Sequence, residues 1–151
     1  MKSCVLVGAS YVVACLLPTT SQAQRSTWSS AAVDAKGVRH RGSEYSGRAP
    51  WMNDVVHMVK PDYPYVERLR HQQGSGLFRL TLDIKTGSVT RITLLKSTGY
   101  TALDNSATAA FGRWRWKPGR WKEIDVPVTF TFGVASGGSG TWSFVGSPLV
   151  R

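Results

Sequence analysis

The residues able to do covalent or metal chemistry are thinly spread along this chain. His40, His57 and His71 lie 17 and 14 residues apart. They form no H-x-x-x-H pair and have no cysteine partners, so the spacing does not fit a metal site, and solvated surface histidines are expected. Cys4 and Cys15 both fall in an N-terminal stretch that reads as a targeting segment. Its removal would leave no thiol for catalysis or disulfide formation. Ser97 lies in a turn without the G-x-S-x-G setting of an activated nucleophile. Asp83 and Asp104 fit a strand end and a helix cap. With no catalytic constellation, the expectation is a non-enzyme that needs no metal or other cofactor.

Two stretches could instead act non-covalently. Arg113 to Lys122, RWRWKPGRWK, interleaves three Arg, two Lys and three Trp with nothing acidic, in a chain of net charge +10. Such a composition can stack on bases and bind phosphates, or seat in anionic lipid. Set against this, an export signal argues against nucleic acid, and tryptophans at helical and turn positions also serve a core. The second stretch is Trp121 to Phe132. There Ile124, Val126, Val128, Phe130 and Phe132 alternate with Asp125, Pro127, Thr129 and Thr131, the period of a half-buried strand. Pro127 cannot donate a ladder hydrogen bond, which predicts a strand at a sheet edge, and an open edge invites another strand.

The elements that would position these stretches centre on Thr101 to Gly119. Leu103, Ala107, Ala110, Phe111 and Trp114 share one helical face, and Thr101 with Asp104 fits a capping pattern. Pro118 and Gly119 then turn the chain back, so Trp114 and Trp116 are expected to close one end of a core. Upstream, Pro61-Asp62-Tyr63-Pro64 marks the domain entrance and predicts a helix from Tyr65 to Gln73 with Val66 and Leu69 inward. After Gly74-Ser75-Gly76 the period becomes two: Phe78, Leu80, Leu82 and Ile84 face one way. Lys85-Thr86-Gly87-Ser88 makes a turn into a second strand, Val89 to Lys96, with Ile92 and Leu94 inward. Val89 and Leu95 sit off that face and predict either cover on both sides or a bulge.

Residues 1–23 read as a secretory signal: Lys2, a mostly apolar run from Val5 to Leu17, Pro18, and Ser21-Gln22-Ala23 before a cut that exposes Gln24. The apolar run is shorter than the roughly 20 residues that span a bilayer. An uncleaved anchor, or a lipidated Cys15 after Val12-Val13-Ala14, are the alternatives. Residues 24–49, rich in Ser, Gly, Ala and Arg, predict a flexible lead-in. Residues 50–60 predict a short helix in which Met52, Val55, Val56 and Val59 share a face, either packed on the domain or serving as a docking element. Residues 134–151 begin with a Gly/Ser linker and continue through Trp142, Phe144 and Val145. They leave two readings: a frayed end, or a segment that folds back on the edge strand and takes a partner's place.

Several of these residues together resemble a known family. Pro61-x-Tyr63-Pro64, the strand after Gly76, Asp83…Gly87-x-Val89, Ser97-x-Gly99, Leu103-Asp104…Ala107, Arg113-Trp114-Arg115-Trp116-Lys117-Pro118-Gly119 and Val126-Pro127-Val128-x-Phe130 stand in the order of the TonB C-terminal domain. The resemblance covers residues 61–133. It implies an α+β fold, a small three-stranded antiparallel sheet with helices on one face. It also implies work in the periplasm, linked to TonB-dependent transmembrane transport: gripping the TonB-box peptide of an outer-membrane transporter by strand addition to Trp121–Phe132. On this reading Trp121, Ile124, Val126, Pro127, Val128 and Phe130 form the peptide-binding strand, with Tyr63 and Arg115 as flanking contacts, although Tyr63 also fits a structural role. A homodimer through the same edge is a further expectation, and no nucleic-acid partner is expected. ExbB and ExbD enter only if the N-terminus is retained as an anchor. The sequence departs from energy-transducing members in its short apolar segment, read as cleavable, in residues 24–49, which contain no proline, in Asp62, which replaces an uncharged polar residue, and in its C-terminal tail.

Overall fold

The computed structural model describes residues 29–46, 48–132 and 140–143. The expected targeting segment and most of residues 134–151 lie outside the described residues. In chain order the elements are β1 (Ala31–Asp34), β2 (Arg39–Arg41), β3 (Val55–His57), α1 (Tyr65–Leu69), β4 (Gly74–Leu82), β5 (Val89–Lys96), α2 (Thr101–Phe111), β6 (Arg115–Trp116), β7 (Trp121–Phe132) and β8 (Gly140–Ser143). The fold is α+β, as expected, but the sheet is larger than the three strands anticipated. It has six strands in the order β2-β1-β7-β4-β5, with β8 also paired to β7, while β3 and β6 form a separate two-stranded sheet.

The period-two pattern of β4 and β7 builds the sheet's inner face. Phe78, Leu80 and Leu82 from β4, and Ile124, Val126, Val128 and Phe130 from β7, are all buried. Helix α2 covers them with Leu103, Ala107, Ala110 and Phe111, the face that its sequence spacing marks. Beyond its end Trp114 and Trp116 are fully buried beside Trp51, with ring centroids 5.7–6.1 Å apart. The Trp114 Nε1–H donates to the Val59 carbonyl at 2.7 Å. These tryptophans close one end of the core. Strand β5 pairs with β4 and is bulged at both ends, which accounts for the off-phase Val89 and Leu95; Leu94 is exposed rather than inward.

Four local expectations require correction. The lead-in is not a featureless linker, because residues 31–41 form the β1–β2 hairpin. Asp34 Oδ1 accepts the Lys36 and Val38 amides at 2.9 Å, and Gly37 takes φ +88, so a side-chain-capped turn makes the hairpin. Residues 50–60 contain only a 3-10 turn, Met52–Asp54, after which Val55–His57 pairs with β6, a choice favoured by the β-branched Val55 and Val56. Helix α1 stops at Leu69, with His71 at φ +51, and leaves Val66 and Leu69 exposed at 48% and 63%. Asp104 is not part of a capping box. Its buried carboxylate instead accepts the Thr98 amide, the Thr98 hydroxyl and the Ser97 hydroxyl at 2.5–2.9 Å, tying down the turn before α2.

Candidate functional site

The strand singled out by sequence is not at an edge. β7 pairs with β4 from Glu123 to Phe130 on one side. On its other, outer side β1 covers Trp121 to Asp125, and β8 covers Thr129 to Phe132. Among the described residues, Val126, Pro127 and Val128 pair only with β4. Pro127 therefore marks a local break in the outer ladder, where a missing N–H disturbs pairing least. The main path of the sheet ends at β5 and the three-residue β2, and β8, paired only with β7, is a further edge, so β7 is not itself the open edge on which the homodimer expectation rests.

The candidate side chains of this strand are buried. Ile124, Val126 and Phe130 are fully buried, Val128 is 1% exposed and Trp121 5%. Pro127 is buried too, opposite Leu77. Any partner at β7 would thus meet its backbone rather than these side chains. Trp121 is fixed by its Nε1–H, which donates to Asp54 Oδ2 at 3.0 Å. Arg120 shares that oxygen at 3.3 Å and Lys117 approaches the other at 3.8 Å. The sequence does not flag Asp54, since its contacts are far along the chain.

Tyr63 and Arg115 lie at opposite ends of β7 rather than together. Tyr63 packs edge-on against Phe130, with centroids 5.7 Å apart, and its hydroxyl donates to the Gln72 carbonyl. Burial, with the nearby Glu67 and Tyr100, raises the phenol above its ordinary pKa. This geometry gives Tyr63 a structural part, joining the domain entrance to the turn after α1. Arg115 stands in β6 near the other end of β4, bridged to Ser88, with Nη1 donating to the Trp114 and Gly112 carbonyls at 2.7 and 3.2 Å.

The rival basic-aromatic surface loses its aromatic component. Trp114, Trp116 and Trp121 are 0–5% exposed, so none presents a ring to a base or a lipid headgroup. The histidines are dispersed as well. His40 contacts Asp34 and Tyr45 at 3.1 Å each, and His71 stacks on Phe132 at 4.2 Å between centroids. Among the described residues no group of three His, Cys, Asp or Glu is placed to hold a metal ion, and no helix is long and apolar enough to cross a membrane.

One polar cluster on the solvent-side face was not anticipated. Asp125, 5% exposed, accepts Arg79 Nε and Nη2 at 2.8 and 3.1 Å and Arg39 Nη2 at 2.7 Å. The hydrogen bond to Asp125 raises the Arg79 pKa further and holds its charge. Arg39 comes from β2, so its guanidinium reaches over β1 to the carboxylate on β7.

The motifs spread from the domain entrance to the end of β7 coincide with a recognised family. Residues 59–134 match the family described as Gram-negative bacterial TonB protein C-terminal. The chain is similar to Protein TonB of Vibrio cholerae serotype O1, 37% identical over 64 residues that cover 42% of this chain and 26% of that protein. Protein tonB2 of Pseudomonas aeruginosa is 31% identical over 81 residues, covering 50% of this chain and 30% of its own length. Protein TonB of Neisseria meningitidis serogroup C is 28% identical over 98 residues, covering 65% and 34%. The chain thus spans 26–34% of the length of these relatives. A solution NMR structure of the Pseudomonas aeruginosa TonB CTD matches 64% of this chain and 87% of that one, at 19% identity and a TM-score of 0.41. With half of its length matched to the family, this chain belongs to the TonB C-terminal family.

Proposed function

We propose that the domain is a periplasmic peptide grip, which takes up the extended TonB-box segment of an outer-membrane transporter as an added strand on the outer side of β7. The observation that carries this reading is the incompleteness of that side. From Val126 to Phe132 it meets only β8, over four residues, and three positions have no second strand among the described residues. Backbone pairing there would be tolerant of partner sequence, as strand addition generally is. The role is mechanical coupling, without catalysis. Export with cleavage after Ala23 places the domain in the periplasm, where it acts as an adaptor or competitor at transporter peptides. A retained N-terminus would instead bring ExbB and ExbD into play.

Titrating isotope-labelled protein with a transporter-derived TonB-box peptide tests the reading. The expected amide shift changes run along Val126–Phe132 and β8. Changes confined to β5, or none at millimolar peptide, would refute it.

A further inference from the structure

The β1–β2 hairpin widens the sheet and adds to the face turned away from α2. Residues directly opposite one another on neighbouring strands share a face, so the register lays out transverse rows. In one row Arg39 of β2 and Arg91 of β5 stand at the two ends, with Val33, Glu123 and Thr81 between them. In the next, Arg41 of β2 is followed by Ala31, Asp125 and Arg79. These rows hold four arginines and two carboxylates, and Lys96 lies beyond them, opposite Leu77. Asp125 engages Arg39 and Arg79 at 2.7–3.1 Å. Arg41 and Arg91 are exposed and make no ion pair among the described residues. The opposite face is different: α2 has one charged residue, Asp104, and it is buried. Basic charge is thus segregated to one side of the sheet.

We propose that this face is a peripheral docking surface for an anionic phospholipid leaflet. Arg39 and Arg91 are four strand spacings apart, about 19 Å at about 4.8 Å per strand. The cations therefore do not converge on a pocket, and a single phosphate reaches one or two of them at most. An extended plane of phosphate charge meets them all, and the guanidinium fork suits phosphate oxygens. The two rows hold no aromatic ring to stack on bases or to anchor in lipid. Contact is therefore at headgroup depth, electrostatic and reversible. Docking of this kind needs no strand addition. It fixes an orientation, with the strands lying along the leaflet, α2 facing away, and the outer side of β7 opening parallel to the membrane plane.

Vesicle sedimentation with the full chain is the test. At about 0.1 M salt, vesicles of phosphatidylcholine with about one third phosphatidylglycerol should bind at least about thirtyfold more tightly than phosphatidylcholine alone, and the difference should vanish near about 0.5 M. The neutral vesicles read whatever the apolar N-terminal run contributes. Arg41→Glu/Arg91→Glu should bring anionic binding to within about threefold of neutral binding, and the neutralising Arg41→Gln/Arg91→Gln should lose at least about fivefold. Both side chains are exposed, so circular dichroism should be unchanged; should the Glu pair unfold, the Gln pair carries the comparison. Arg68→Glu/Arg70→Glu changes net charge equally at the end of α1, and should stay within about threefold of wild type. Equal losses in the two Glu pairs would assign binding to net charge rather than to this face, and no preference for anionic vesicles would refute docking; either result overturns the proposal. So would displacement by inorganic phosphate beyond that of sodium chloride at matched ionic strength, which marks a small-anion site. Binding to heparin through Arg41 and Arg91 without binding to vesicles would give the face to a polyanionic chain and equally overturn it.

Discussion

Replacing Trp114 by Ala should bring the domain close to unfolding. The indole is fully buried, with ring centroids 4.8 Å from Phe111, 5.7 Å from Trp116 and 6.1 Å from Trp51. Truncating a buried Trp costs about 3–5 kcal/mol through lost transfer energy and the cavity left behind. Loss of the Nε1–H bond to the Val59 carbonyl adds about 1 kcal/mol. The expected total, about 4–6 kcal/mol, is a large part of the roughly 5–15 kcal/mol that stabilises a domain. Trp114→Phe keeps a ring in the cluster and gives up the hydrogen bond and part of the volume, for about 1.5–3 kcal/mol. Urea unfolding followed by circular dichroism should rank the midpoints wild type, Trp114→Phe, Trp114→Ala, with the denaturant slope unchanged. A Trp114→Ala loss below about 1.5 kcal/mol would refute its place in the core. Unchanged stability with lost peptide binding would make it a contact residue instead.

Other substitutions test separate parts of the fold. Gly87 has φ +70, and an added Cβ would collide with the Trp116 carbonyl, whereas Gly119 at φ +80 has open space around it. Gly87→Ala should therefore cost more than about 3 kcal/mol and Gly119→Ala only about 1 kcal/mol, read by the same urea curves. Asp54→Ala strands the buried Trp121 Nε1–H, and a loss of about 2–3 kcal/mol is expected; Asp54→Asn, which keeps an acceptor oxygen, should lose less. The β1–β2 turn should loosen in acid. Hydrogen bonds from His40, then from the Val38 amide, lower the Asp34 pKa in the folded chain. The stability this contributes is present above the unfolded-state value near 4 and is lost as pH falls through the lower folded one. Lys36 and Val38 amide shifts should follow that titration, and a midpoint at or above about 4 would contradict the turn geometry.

How much of this was legible depended on the length of the pattern. α2, β4 and β7 carry long stretches of a single period, and their buried faces are those that the spacing marks. The four-residue β1 is too short to show a period, and its Ala-rich composition resembles a linker. Its one local signal is Asp34 followed by Gly37, a turn that only makes sense with a strand on either side. Pro127 pointed to a real gap in pairing, but local sequence could not tell an open edge from a three-residue break between two strands. The spacing of Val66 and Leu69 marks a helical face, but a helix of five residues buries neither of them. The Asp125 cluster was invisible because Arg39 and Arg79 reach it from 86 and 46 residues away.

The alignment of β8 and β1 has a topological consequence. Ser143 stands opposite Thr129 and Ala31 opposite Asp125, four steps apart on the same strand, so a three-residue bridge would join them with the pleat in phase. Strands from the two ends of the described chain are thus halves of one interrupted strand. A circular permutant linked from Ser143 to Ala31, and opened in the Lys85–Thr86 turn, should retain the same sheet with β7 flanked by two continuous neighbours.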